Sequence, residues 1–178
     1  MAKKAIIFFV FTICAFSLYA QENFSEFVNL VKEGAQVHFS FKQSNFNSVP
    51  LNGEITVKGT SFRLEMSNGI TVINNGETEW YVNSDNTEIV IYTPEKNSLD
   101  ITRNPFAFLE QAKDMYTIKM SGPVTNKSPR VITLVAKNGV TYTIDIVACK
   151  KLESNFNAQE TFCLNPDLYP NAVLTDLR

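Results

Sequence analysis

Four of the 7 glycines follow an asparagine, at Asn52-Gly53, Asn68-Gly69, Asn75-Gly76 and Asn138-Gly139, and no other feature limits the fold as strongly. Asn-Gly is the strongest two-residue hairpin signal, because both positions tolerate the positive φ that a tight turn between antiparallel strands demands. Around these pairs apolar and polar residues alternate with a period of two. Val37, Phe39 and Phe41 share one face against His38, Ser40 and Lys42 on the other; Ile55 and Val57 follow, then Phe62, Leu64 and Met66. The same period runs through Ile70 and Val72, Trp80 and Val82, Ile89 and Ile91, Tyr116 to Met120, Ile132 and Leu134, and Tyr142 to Ile146. Strands joined by short turns, with no long helical crossover, predict an antiparallel sheet that curls on itself.

Two segments carry helical spacing instead. From Asn23 to Gly34, Phe24, Phe27, Val28 and Val31 form one apolar stripe, and Gly34 is placed to end the helix. A second helix opens at Asn104-Pro105, with Asn as cap and Pro at the first helical position, and runs through Phe108, Leu109, Ala112 and Met115. Each helix needs an apolar surface to cover. The economical arrangement is one curved sheet whose concave apolar face is roofed by short helices.

The N-terminus reads as an export signal. Lys3 and Lys4 precede an apolar stretch from Ala5 to Phe16, and Ser17 to Ala20 lead into polar Gln21, the pattern of n-region, h-region and cleavage site. Residues 1–20 are expected to be removed, leaving one domain over residues 21–178. The apolar run is shorter than the roughly 20 residues of a spanning helix, and Thr12 and Ile13 are not the small residues a lipid-attachment site at Cys14 requires. The formal net charge is -2 and becomes more negative once Lys3 and Lys4 are lost. With no basic stripe to track phosphates, nucleic acid is not expected as a partner. Cys149 and Cys163 then stay behind in an oxidising compartment, where a disulfide is favoured over two buried thiols. Closing a loop of that size would stabilise the fold by about 3 kcal/mol.

No catalytic constellation emerges. His38 is the single imidazole and falls on the polar face of its strand, away from any nucleophile, which reads as a solvent-facing residue rather than a general base. Glu54 and Glu65 are the nearest thing to a glycosidase pair, yet scattered acids are mostly solvated faces. No glycine loop cradles a phosphate, no Cys, His and Asp cluster has metal-ligand spacing, and no cofactor is called for. The chain reads as a binder, not an enzyme. Periodicity alone does not separate a filled core from a cavity, and the filled core accounts for most of these apolar residues.

The stretches GEITVKGTSFRLEM, NGETEWYVNSDNTEIVIYTPE, RNPFAFLEQAKDMY and FCLNPDLYPNAVLTDLR, in this order behind a signal peptide and an amphipathic helix, resemble the LolA-like family of periplasmic outer-membrane lipoprotein carriers. The resemblance implies an incomplete, strongly curved antiparallel β-barrel with a short helical lid over an apolar cavity for acyl chains. It also implies the partners: acylated lipoproteins, an inner-membrane ABC transporter that releases them, and an outer-membrane receptor, in the periplasm of a Gram-negative envelope. A carrier with one mouth works as a monomer. Phe62 matches the family's aromatic position, and Trp80 and Ile89 fall on strands that line the cavity in the family. Alternation and helix spacing add Phe39, Phe41, Val57, Leu64, Val72 and Leu109. Where better-studied members place an Arg before a Pro to hold the lid shut, this chain has Gly59 and Thr60; Arg63 is nearby but falls on the opposite strand face. A periplasmic lipid-binding, sensing or scaffold domain on the same half-barrel is the alternative function, and a hydrolase a third.

Overall fold

In the computed structural model, which describes residues 23–43, 50–85, 87–95, 101, 103–122 and 130–178, the alternating segments form a single ten-stranded sheet. The strands are β1 (Ala35–Gln43), β2 (Leu51–Lys58), β3 (Ser61–Met66), β4 (Ile70–Asn74), β5 (Glu79–Asn83), β6 (Glu88–Tyr92), β7 (Tyr116–Ser121), β8 (Val131–Ala136), β9 (Thr141–Lys151) and β10 (Val173–Asp176). Helix α1 covers residues 23–34, α2 is Pro105–Met115, α3 is Ala158–Thr161, and a 3-10 turn covers Pro166–Leu168. The expected signal segment, residues 1–20, lies outside the described residues.

The sheet runs in the order β10-β6-β5-β4-β3-β2-β1-β9-β8-β7 and does not close, so the expected incomplete barrel is what forms. One pairing departs from the antiparallel expectation: β10 lies parallel to β6, with Val173 opposite Glu88 and Asp176 opposite Ile91. A parallel neighbour needs a long connection, and the chain between β9 and β10 provides it by crossing the outside of the sheet. A β-bulge sharpens the curl. Between His38 and Phe39 the register to β9 slips, leaving Val147 as the extra residue, 75% exposed on the outer side.

Three of the Asn-Gly pairs sit in turns where glycine takes a positive φ, at Gly69, Gly76 and Gly139. The fourth does not. Gly53 lies inside β2, paired with Phe39 on one side and Met66 on the other. A Cβ there would stand 2.9 Å from the Phe39 ring and 3.1 Å from the Glu65 carbonyl, so this glycine is needed for close packing and not for a turn. The β2–β3 turn is made by Gly59 and Thr60 instead.

Register fixes the two faces. Ala35, Val37, Ile55, Val57, Phe62, Leu64 and Val72 stand opposite one another on the concave side and join one buried cluster with Phe24, Phe27, Phe108, Ala112, Ile132, Leu134 and Ile144. The convex side of β1 to β3 is polar: His38 Nδ1 is 2.9 Å from Glu54 Oε2, Gln36 Nε2 donates to Glu54, and Arg63 pairs with Glu65 at 2.7 Å. Glu54 and Glu65 are thus neighbours, each with its own partners.

The expected Cys149–Cys163 disulfide is not formed; the two cysteines are not bridged. The reason is their placement. Cys149 pairs in register with Val37 and packs against the concave cluster. Cys163 follows Phe162, whose ring meets Phe156 at 5.6 Å. Phe156 lies under the ammonium of Lys58 and borders a groove with Thr56 and Arg63, which is the convex side. The segment that carries Cys163 thus runs along the convex side, while Cys149 faces the concave one.

Candidate functional site

The concave face is covered by the two amphipathic helices. Phe24, Phe27, Val28 and Val31 of α1 are buried, as are Phe108 and Ala112 of α2. In α2, Asn104 Oδ1 accepts from Ala107 N at 2.9 Å, the expected cap, with Pro105 in the first turn. Between helices and sheet lies a cavity lined, among the described residues, only by hydrocarbon and aromatic side chains. Phe27, Val31, Ile101 and Leu109 form its roof, and Val37, Phe39, Phe41, Ile55, Val57, Ile132, Ile144 and Ile146 form its floor. Its free volume is about 40 Å³, little more than the roughly 30 Å³ share of one liquid water and far below the roughly 300–1,000 Å³ of an occupied ligand site. The roof side chains lie close against the floor.

Of the residues expected at the cavity, Phe39, Phe41, Val57 and Leu109 line it. Phe62, Leu64 and Val72 are concave, but Leu64 and Val72 are fully buried in the packed cluster, and Phe62 borders a different cavity. Trp80 and Ile89 are corrected. Tyr81 pairs with concave Val72, so Trp80, beside it in sequence and opposite Ile73 and Ile91, points outward, as does Ile89 opposite Val82. Ile73, Val82, Ile89 and Ile91 are buried as a separate outer layer, and Tyr169 to Ala172 border the same cleft as Val82. The C-terminal segment running over this outer face had no signal in the strand pattern.

Different contacts hold the two roof helices. The carbonyl of Lys32 in α1 accepts from Gly59 N at 2.9 Å, and that of Gly34 accepts from Leu152 N at 3.0 Å; Gly34 takes φ +135, the left-handed side that lets the helix stop and turn directly into β1. Gly59, standing where the resemblance expects the locking Arg, therefore ties the turn to α1 through its backbone. Arg63 faces outward and takes no part. At the start of α2, Arg103 Nε donates to Glu79 Oε1 at 2.7 Å, Asn74 Nδ2 donates to Glu79 Oε2 at 3.1 Å, and the guanidinium lies 4.3 Å over the Tyr92 ring. Partial burial works against the charged guanidinium, but the hydrogen bond and charge of Glu79, with Glu95 and Tyr92, outweigh it and raise the Arg103 pKa above its ordinary value. Neither Arg103 nor Glu79 was singled out from sequence, because β5 and the α2 entry are 24 residues apart and only the fold joins them.

Rings also hold α2 against the sheet. Phe108 meets Tyr116 and Tyr142 at 5.6 Å each, Tyr116 meets Tyr142 at 5.7 Å, and Phe41 stacks on Tyr142 at 5.9 Å. Burial, reinforced by Tyr142, raises the Tyr116 pKa above the ordinary phenol value. Beside the apolar cavity, and sharing Val57 with it, lies a second one of about 430 Å³, bounded by Lys32, Thr60, Phe62, Asn74, Glu95, Asn104 and Glu110 among others. Lys32 Nζ and Glu110 Oε1, 2.7 Å apart, join α1 to α2 at its rim.

A family model described as outer membrane lipoprotein carrier protein LolA matches residues 24–162. Among solved structures, an uncharacterized conserved protein from Thermus thermophilus is similar in fold, with TM-score 0.53 and 11% identity over 89% of this chain and 99% of that one. A LolA superfamily protein from Nitrosomonas europaea aligns with TM-score 0.53 and 9% identity over 82% of this chain and 97% of that one. No curated protein matches the sequence significantly.

Proposed function

The chain belongs to the LolA family of outer membrane lipoprotein carrier proteins, and from that premise we propose that it is a periplasmic carrier that shields the acyl chains of lipoproteins between inner and outer membrane. The observation that carries this reading is the cavity whose described lining is wholly apolar and whose roof, Phe27, Val31 and Leu109, is closed down on the sheet so that only about 40 Å³ is free. Each CH₂ of an acyl chain withdrawn from water is worth about 0.8 kcal/mol, so a lipoprotein crosses an aqueous compartment only if something covers its chains. An open apolar face on the empty carrier would aggregate. Phe27 and Val31 solve that problem by closing over the cavity until acyl chains displace them.

α1 is the element that yields. α2 is bonded at its entry through Arg103 and runs directly into β7 at its exit, whereas α1 is hydrogen-bonded at its C-terminal end, by Lys32 and Gly34. Displacing α1 about Gly34 frees the cavity while the sheet stays intact. Loading from an inner-membrane ABC transporter and unloading to an outer-membrane receptor then follow a gradient of affinity, each step set by how strongly the cargo competes with Phe27 and Val31.

Native mass spectrometry of the mature protein, isolated from a periplasm in which a triacylated lipoprotein is also expressed, tests this reading. The expected result is a one-to-one adduct that disappears when the lipoprotein lacks its acyl chains. An adduct of phospholipid or fatty acid alone replaces the carrier with a lipid-binding or sensing domain, and no adduct of any kind sinks both.

A further inference from the structure

The geometry points to the 430 Å³ cavity beside Val57 as the site for the polar head of an acylated cargo: the ester- and amide-bearing glyceryl-cysteine and the first peptide units behind it. The inference rests on the carrier reading and specifies the part of the cargo that reading leaves unhoused. Among the described residues the apolar cavity has no polar side chain on its walls. An ester or amide buried there would lose its hydrogen bonds to water and gain none, so hydrocarbon enters and the head stops at the boundary.

The second cavity begins at that boundary. Val57 belongs to both walls, and the same two helices roof both: Val31 faces the apolar side and the next residue, Lys32, the other; Leu109 faces the apolar side and Glu110 the other. Lifting α1 therefore joins the two spaces into one, apolar at one end and mixed at the other. Phe62 supplies an apolar floor, while Asn74 and Glu95 supply polar groups. The volume already lies in the range of occupied small-molecule sites without any rearrangement. The Lys32–Glu110 pair across the rim is about half exposed, with side chains 44% and 42% accessible, and such surface pairs are weak. It closes the rim and opens readily.

The experiment measures the affinity of the full mature chain for two probes, palmitate and a synthetic triacylated lipopeptide, in native protein and in Thr60→Trp and Thr60→Ala. Thr60 lies in an exposed turn, so the larger ring fills the second cavity without disturbing the core. Thr60→Trp is expected to weaken lipopeptide binding at least tenfold and to leave palmitate within twofold, while Thr60→Ala leaves both within twofold. Unchanged lipopeptide binding in Thr60→Trp overturns the assignment, as does an equal loss of both probes, which would place the effect in the acyl cavity. Failure of the native chain to bind either probe overturns the carrier reading itself.

Discussion

Arg103 Nε lies 2.7 Å from Glu79 Oε1, with the carboxylate only 1% exposed and the guanidinium side chain 23% exposed. The pair fastens the entry of α2 to β5, on the concave side, at a point where nothing in the local sequence calls for a charge. Replacing one partner of a buried pair leaves the other uncompensated and costs about 3–5 kcal/mol; the partial exposure of Arg103 brings the expected loss for Arg103→Met to about 3 kcal/mol. Glu79→Met combined with Arg103→Met recovers most of it. Urea midpoints at unchanged slope measure both. A loss below about 0.5 kcal/mol, in the range of ordinary surface substitutions, would show that α2 does not depend on this anchor.

Phe39 and Val72 share the concave face but differ in what surrounds them, and a charge separates the two cases. Phe39 borders free space at the cavity, whereas Val72 is completely enclosed. Phe39→Glu is expected to fold and to lose palmitate binding by tenfold or more, because the unpaired carboxylate stands where hydrocarbon must lie. Val72→Glu is expected not to fold at all. Circular dichroism with palmitate titration checks the pair; normal binding by Phe39→Glu would remove Phe39 from the site.

The strands, the roof helices and the open curl were legible because each rests on local periodicity, capping and turn chemistry. Face assignment failed at Trp80 and Ile89 for a physical reason. In β5 and β6 the apolar set, Trp80 and Val82 with Ile89 and Ile91, lies on the outer face, while the concave positions carry Glu79, Asn83 and Glu88; alternation finds a buried face there but does not say on which side of the sheet it lies. A similar gap hid the Gly53 packing contact behind a turn-like dipeptide. The Arg103–Glu79 link and the convex course of the C-terminal segment depend on tertiary contacts that carry no periodic signal.

Gly53→Ala tests that packing contact. The added Cβ would meet the Phe39 ring at 2.9 Å and the Glu65 carbonyl at 3.1 Å. Overpacking of this kind typically costs about 1–3 kcal/mol, and the expected loss is about 2 kcal/mol, falling by at least half in a Phe39→Val background where the ring is gone. An equal cost in both backgrounds would assign the strain to the β3 backbone alone.

Thiol chemistry gives a check on the two-sided placement of Cys149 and Cys163. Both are expected to react with Ellman's reagent after denaturation without reductant, and the melting temperature is expected not to change on adding dithiothreitol. Loss of the thiol signal, with a drop in melting temperature on reduction, would mean that the residues after β9 reach the concave side.

Tyr116 begins β7 where α2 ends, and its phenol is packed against Phe108 and Tyr142. Burial and Tyr142 raise its pKa in the folded chain above the ordinary value of about 10. A raised value means that folding favours the protonated phenol. That contribution is complete below pH about 10 and is lost as the pH climbs through the folded value. Stability is therefore expected to fall above pH of about 10, with α2 loosening at its β7 end. Tyr116→Phe keeps the ring against Phe108 and removes the ionisation, so unfolding free energies measured from neutral pH into this alkaline range should decline less steeply in Tyr116→Phe than in the native chain. Identical alkaline slopes would show that the ring cluster holds α2 without regard to the charge on Tyr116.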